Sequence, residues 1–373
     1  MRKMAGFNHH MLCLARDVCG MTQAEFAVKL GIGQGTLSKY EAGLLIPPDE
    51  IIDDFVKTIN RYSRKFFFQP EQIYGFPPFH FRKRKKLGVK ALSRIVAEMN
   101  VRRVHVKKLN NSCPQKMSGF IPEVDLDEYQ GATKRSPTIE DLARHVRELW
   151  GVPNGPIENM VDLVERNGGI VIACDFETDL LDAMSQRIDG MPVVFFINRN
   201  APADRIRHTL AHELGHMVLH TLSLRDDEAM EQEADEFAGA FLLPADEIRT
   251  QLKRFDLRQL ANLKSYWKVS MAALAVRADK LNLITPYQSK MFWMEMSRLG
   301  YRKREPNEPL AEAPQRLARM ISFHRGELGY TASDMASLLD LMPSEFDRLY
   351  GDAKPSEIAT PDAQPASRLR LVK

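Results

Sequence analysis

The pentapeptide His212-Glu213-Leu214-Gly215-His216 places the strictest condition on how this chain folds. Histidines four residues apart lie on one face of an α-helix, about 5–6 Å from each other, so both imidazoles can reach one zinc ion. Glu213 is rotated by about 100° around the same axis. Its carboxylate can therefore take a proton from a zinc-polarised water without binding the ion. The motif predicts a buried helix that carries two metal ligands, His212 and His216, and a general base, Glu213.

A third protein ligand is expected from the acidic segment that follows. Residues 226–236 contain seven acids and no base, yet apolar residues recur there at helical spacing, which indicates a packed helix. Glu231 and Asp235 share one face of that helix. We assign Glu231 as the third ligand and Asp235 as an acceptor for a histidine N–H. Glu233 points about 160° away and is the fallback ligand. The alternative is a solvated acidic helix.

Three β-like runs precede the motif, at Ile170–Cys174, Leu181–Ile188 and Val193–Ile197. Asp189 and Gly190 form a hairpin-turn signal between the last two. If the second run is an edge strand near the metal, an extended peptide can add to it, and Ser185 or Met184 would touch that peptide. An ordinary packed hairpin strand explains the same pattern.

The first 70 residues contain the pattern of two short helices joined by a tight turn. Thr22 and Glu25 are spaced for a capping box, and Gly31 is placed to end that helix. A second helix begins near Gln34. Its exposed side offers groups suited to base edges and phosphates in a major groove, namely Gln34, Thr36, Ser38 and Lys39. Gln23 is a candidate phosphate anchor. A plain helical bundle is the alternative.

Charge is distributed unevenly along the chain, although the net charge is only +3. Residues 82–108 contain eleven Lys or Arg against one acid, Glu98. Such a run favours a polyanion partner, and the segment Phe81–Leu87 is a candidate for phosphate contacts. Two other interpretations stay open: a solvated face, or a basic helix that lies over another domain.

Composition narrows the class of protein. The 373 residues are 44% hydrophobic and 27% charged, as in an ordinary globular chain. A membrane span needs about 20 apolar residues, and the longest apolar run covers only residues 191–197, so we expect no membrane protein. The N-terminus lacks a signal-peptide stretch. Four cysteines at irregular spacing indicate reduced thiols, and we expect a cytoplasmic protein.

These patterns predict a mainly α (α+β) chain with a small three-stranded sheet. We expect a helix-turn-helix domain over residues 1–70, a basic helical connector and linker over 71–137, a domain around the metal motif over 138–300, a C-terminal helical region over 301–351 and a disordered tail over 352–373.

The C-terminal region faintly repeats the N-terminal pattern. Eight positions from Thr22 to Tyr40 match positions from Thr331 to Leu349 at one constant spacing. Glu345 and Asp347 stand in the second helix of the repeat, where a DNA reader would avoid acids. We therefore expect a degenerate helix-turn-helix that docks or dimerises.

Residues 7–68 resemble the XRE/Cro-type family of DNA-binding domains, through the residues named above and others such as Phe26, Leu37 and Tyr40. They depart from it at Gly35, where a side chain commonly reads a base. The resemblance implies a double-stranded DNA operator as a partner. We expect a homodimer, because half-sites on DNA favour two-fold symmetry.

The HELGH motif and the segment from Glu231 to Pro244 together resemble the ImmA/IrrE family of metallopeptidases, over about residues 142–300. This resemblance implies that the domain over 138–300 is a zincin-like peptidase domain. The family implies a peptidase that cuts one chosen protein, often a repressor, in stress responses, mobile elements or toxin–antitoxin loci. By that resemblance His212, His216 and Glu231 hold one Zn²⁺ per chain, and Glu213 is the general base. His208 and His220 are candidates for stabilising an oxyanion, although a helical histidine is more often structural.

The sequence thus supports two functions. The first is a DNA-binding transcriptional regulator whose zinc endopeptidase domain cleaves a partner protein. The second is a non-enzymatic repressor or antitoxin, whose zincin-like domain only binds a partner or signal.

Overall fold

The computed structural model describes residues 6–75, 87–113, 119–124, 138–221 and 226–351. Three predicted features fall outside these ranges: the basic residues 82–86, most of the linker over 110–137, and the tail from residue 352. The described residues are mainly helical, with one small sheet of three strands, so the predicted fold class is confirmed. Among them no helix is both long enough and apolar enough to span a bilayer.

The helices are numbered here in chain order. Those before the sheet are α1 (His9–Val18), α2 (Gln23–Leu30), α3 (Gln34–Glu41), α4 (Asp49–Ile59), α5 (Val89–Ser112), α6 (Ile139–Leu149) and α7 (Met160–Arg166), with a 3₁₀ turn at Arg64–Phe68. Those after it are α8 (Ala203–Leu219), α9 (Asp227–Leu242), α10 (Ala245–Gln251), α11 (Leu257–Trp267), α12 (Met271–Lys280), α13 (Pro286–Arg298), α14 (Arg316–Gly326), α15 (Ala332–Leu338) and α16 (Pro343–Tyr350).

The predicted pair of N-terminal helices forms as the cap residues indicate. Thr22 and Glu25 make a reciprocal capping box at the start of α2. Gly31 ends α2 with a left-handed φ of 66°, which glycine adopts without steric cost. Behind α2 and α3 the rings of Phe26 and Phe67 each lie 6.0 Å from the ring of Phe55, and all three are fully buried. This core holds α3 against the bundle with its polar side outward.

The sheet has the strand order β1-β3-β2, with β1 at Ile170–Cys174, β2 at Ala183–Gln186 and β3 at Val194–Asn198. β1 runs parallel to β3, and β2 runs antiparallel to it with Ser185 opposite Phe195. All three strands are predicted, although β2 is shorter than the predicted Leu181–Ile188. The predicted turn closes with a hydrogen bond from the Met191 N–H to the Ile188 carbonyl, at 3.1 Å.

The sheet separates two hydrophobic cores, because successive side chains of a strand point to opposite faces. Phe195 and Ile197 of β3 join the core formed with α6 to α13. Val194 and Phe196 join the other core, which contains α1 to α5 and α14 to α16. The C-terminal helices therefore pack with the N-terminal ones, on the far side of the sheet from α8.

The basic helix α5 packs among other elements, and three of its cations are engaged within the chain, which does not favour them as a polyanion surface. The same prediction for residues 82–86 lies outside the described residues. Arg103 is 2% exposed and donates to the Gln72 carbonyl at 2.6 Å. Lys107 pairs with Glu71 at 2.9 Å, and Lys108 pairs with Asp340 at 2.6 Å. The physical reason is that α5 packs between the N-terminal and C-terminal helices, whose acids neutralise it.

The C-terminal repeat is visible in the structure. Thr331 and Asp334 form a capping box at α15, as Thr22 and Glu25 do at α2. The loop before α16 meets the N-terminal helices through backbone hydrogen bonds, from Ser63 N–H to the Asp340 carbonyl at 2.9 Å and from Met342 N–H to the Arg61 carbonyl at 2.8 Å. The repeat therefore docks onto the first helix-turn-helix within the same chain.

Candidate metal centre and DNA-binding surface

The two motif histidines project from one face of α8 toward each other. Their Nε2 atoms are 3.0 Å apart, and the exposed fractions are 5% for His212 and 0% for His216. The helix is buried along most of its length, because its apolar side chains belong to the core formed with α6 to α13. The rings are consequently fixed in position by packing.

Glu231 of α9 reaches both imidazoles. Its Oε1 atom lies 3.3 Å from His216 Nε2, and its Oε2 atom lies 3.9 Å from His212 Nε2. One ligand atom from each of the three residues falls within 4.8 Å of the other two. This closeness depends on Gly215, because a β-carbon there would lie only 3.2 Å from Ala234 and Phe237 of α9.

The outward nitrogens of the two histidines are each engaged. His212 Nδ1 lies 2.7 Å from Oδ1 of Asp235, as predicted for a hydrogen-bonded acceptor. His216 Nδ1 lies 2.9 Å from Nδ1 of His220, and His220 Nε2 lies 2.9 Å from Oε2 of Glu233. Glu233 is therefore placed against His220, away from the position of a fallback ligand.

This donor set fits a divalent cation. With ionised carboxylates and neutral imidazoles, Asp235 and His220 take the Nδ1 protons, so both Nε2 lone pairs face inward beside the Glu231 carboxylate. Three electron-pair donors at this separation repel one another unless a cation lies among them. A tetrahedral zinc site with bonds of about 2.0–2.2 Å has ligand–ligand edges of about 3.4 Å, and the observed separations lie on both sides of that value.

Glu213 is held in place by a residue of the sheet. The Glu213 side chain is fully buried, and Ser185 of β2 donates its hydroxyl to Glu213 Oε2 at 2.7 Å. From its place in the predicted strand, Ser185 was expected only to touch a bound peptide. β2 is an edge strand of the described sheet, as peptide addition requires. Its four residues are buried and Met184 faces the opposite core, so a peptide added there would meet the backbone of β2, and both interpretations of the strand stay open.

A cavity of about 660 Å³ lies next to α8 and α9. His208 and Asp235 line it at the α8–α9 end, and Lys280, Trp293 and Arg304 line it elsewhere. Burial, followed by the charge of the neighbouring His212, lowers the pKa of His208. Of the two oxyanion candidates, His208 thus borders a space that a ligand can enter, whereas His220 is buried behind His216.

The candidate DNA-contacting residues of α3 form an exposed row. Leu37 and Tyr40 of that helix are buried in the bundle, and the exposed side carries Gln34, Thr36, Ser38 and Lys39. Gln23, at the start of α2, donates its side-chain amide to Glu41 at 2.9 Å. The Gln23 contact holds the first turn of α2 against the end of α3. Glu41 is also paired with Arg16 of α1 at 2.6 Å.

Two family models match parts of the chain. Residues 15–66 match a family described as helix-turn-helix, and residues 165–279 match a peptidase family described as IrrE N-terminal-like domain. Both predicted resemblances are thereby confirmed for these segments. No curated protein matches the chain. The chain thus combines a helix-turn-helix DNA-binding domain with a domain of metallopeptidase type.

Proposed function

We propose that this protein is a DNA-binding transcriptional regulator whose zinc-dependent endopeptidase domain cleaves a partner protein, such as a repressor. The observation that carries this proposal is the convergence of His212, His216 and Glu231 within 4.8 Å, inside the segment that matches a peptidase family. The proposed setting is a cytoplasmic stress response, mobile element or toxin–antitoxin system, as the family resemblance implies.

His212, His216 and Glu231 would hold the zinc ion, with Asp235 fixing the ring of His212. When bound, zinc supplies Lewis acidity toward a peptide carbonyl and toward water. Glu213 would accept the proton of the attacking water and pass it to the leaving amine. Ser185 keeps the Glu213 carboxylate oriented through the hydrogen bond to Oε2.

The DNA-binding role rests on the exposed row of α3, where Gln34, Thr36, Ser38 and Lys39 would contact an operator. One side-chain N–H of Gln23 is donated to Glu41, and the second would contact a phosphate and so position the helix. A homodimer would place two such helices on successive half-sites.

The complete burial of Glu213 favours a second candidate function. A general base must meet water, and this carboxylate is enclosed in the described structure. The second candidate is a repressor or antitoxin in which the zincin-like domain binds a partner or signal and hydrolyses nothing. Peptidase activity that stays latent until a partner opens the site would also fit this burial.

The substitution Glu213→Gln separates the two functions. It keeps the shape and the hydrogen-bond acceptor for Ser185 but removes the base. In cells that carry the neighbouring gene, we expect the abundance of that gene's product to rise and its cleavage to stop, whereas zinc content and operator binding persist. Unchanged partner abundance and operator control would instead select the binding function.

A further inference from the structure

The two histidines of the proposed metal site are supported in different ways. His212 contacts Asp235, whose side chain is 64% exposed to solvent. His216 instead contacts His220, which is fully buried and in turn contacts Glu233, whose side chain is 20% exposed. One imidazole is therefore held from the solvent side and the other from inside the protein.

With Glu233 ionised and the imidazoles neutral, the hydrogen bonds along the inner path admit one proton arrangement. An ionised carboxylate only accepts hydrogen bonds, so His220 donates its Nε2–H to Glu233. The Nδ1 atom of neutral His220 then accepts from His216 Nδ1–H, at 2.9 Å. His216 is left with its Nε2 lone pair directed at His212 and Glu231, which is the form that binds a metal ion.

Glu231 and Glu233 of α9 contact different histidines of α8. Glu231 approaches the histidines from one flank of the face that packs on α8. Glu233 lies on the opposite flank and meets His220, which ends α8 one turn beyond His216. Glu231 consequently contacts His212 and His216, and Glu233 contacts His220, the next histidine along α8.

We propose that His220 and Glu233 act as positioning residues that fix the ring and tautomer of His216 and thereby set the zinc affinity. This inference rests on the zinc site of the proposed function but not on peptide hydrolysis. A hydrogen-bonded partner behind a ligating histidine increases the basicity of that ligand and limits its rotation, and loss of such a partner typically weakens metal binding by about 10–100-fold.

The test measures zinc affinity of the full chain by competition with a chelator of known affinity. We expect His220→Phe to weaken binding by about 10–100-fold, and Glu233→Gln, which keeps an acceptor but loses the charge, to weaken it by less, about tenfold. His220→Asn should recover part of the affinity lost in His220→Phe, because an Asn carbonyl can accept from His216 where Nδ1 does now. Glu236→Gln is the matched control: it removes the same charge from an exposed position of α9 and should leave the affinity unchanged.

A second readout separates positioning from folding. The cobalt-substituted protein should change its visible absorption in Glu233→Gln and His220→Phe, while thermal unfolding of the metal-free chain shifts little relative to the control. Affinities of both variants within twofold of the wild type would overturn the inference and leave the zinc site standing. A wild-type chain that binds no zinc would overturn the inference and the proposed metal site together. Zinc binding with the expected weakening, but without any hydrolysis, would support the inference while contradicting the enzyme.

Discussion

At the scale of single residues, the buried carboxylate of the proposed general base depends on a hydrogen bond from the sheet. Glu213 has no exposed surface, and an ionised carboxylate in such a place is costly unless it accepts hydrogen bonds. Ser185 supplies one of these bonds at 2.7 Å. The serine hydroxyl is therefore part of what directs the carboxylate of the proposed general base.

Replacement of Ser185 by Ala should lower the free energy of unfolding by about 1–3 kcal/mol, because a hydrogen bond to a buried charged group is lost. The same replacement in a Glu213→Gln background should cost about 1 kcal/mol less, since the acceptor there is neutral. Urea unfolding of the four proteins gives the coupling energy. Strictly additive effects would show that the two side chains do not interact as described.

At the scale of elements, the site depends on how closely α8 and α9 approach. A β-carbon at Gly215 would lie 3.2 Å from the Ala234 α-carbon and from Phe237, tighter than ordinary contact. Any substitution there must push α9 away, and α9 carries Glu231. The glycine of the motif thus acts through helix spacing.

Gly215→Ala should weaken zinc binding by about tenfold, because Glu231 moves away from the histidines while the helix itself gains propensity. Gly239→Ala provides the control on α9, since a β-carbon there would lie 3.7 Å from the Arg277 side chain, an ordinary contact. That variant should keep its zinc affinity and gain up to about 1 kcal/mol of stability. Equal zinc affinities in the two variants would contradict the spacing argument.

Sequence reasoning predicted the features that neighbouring residues determine. The capping box of Thr22 and Glu25, the stop at Gly31 and the positions of the three strands along the chain all follow from local rules. Contacts between side chains that are distant in the sequence were harder to predict. The helical spacing of α9 gives no sign that His220, at the end of α8, meets the Glu233 carboxylate. The ion pairs of α5 were likewise not predicted, because the partners Glu71 and Asp340 are distant in sequence from that helix.

At the scale of the whole molecule, α5 joins the N-terminal helices to the C-terminal repeat. His105 of α5 is 1% exposed, and its Nδ1 lies 2.8 Å from the hydroxyl of Tyr350 in α16. Burial, followed by the nearby charges of Arg102 and Lys108, holds the pKa of His105 well below its usual value. Its Nε2 has no hydrogen-bond partner among the described residues, so a charged ring there would be poorly compensated.

Acidification should therefore weaken this junction. Below pH 6.5 the unfolded chain protonates His105 and the folded chain does not, so stability falls as the pH decreases. Between pH 8 and pH 5.5 this one group accounts for about 1.4 kcal/mol. In His105→Gln, denaturant unfolding should show a loss of unfolding free energy from pH 8 to pH 5.5 that is about 1.4 kcal/mol smaller than in the wild type. Tyr350→Phe keeps the histidine buried and should retain the pH dependence of the wild type. The same pH dependence in His105→Gln as in the wild type would contradict the assignment.

The zinc content of the purified full chain, measured after loading and dialysis, tests the metal centre most directly. The geometry of His212, His216 and Glu231 predicts one zinc ion per chain in the wild type and in Glu236→Gln, with marked loss in Glu231→Gln and His216→Ala. Retention of one tightly bound zinc by Glu231→Gln, or absence of zinc from the wild type, would contradict the proposed centre.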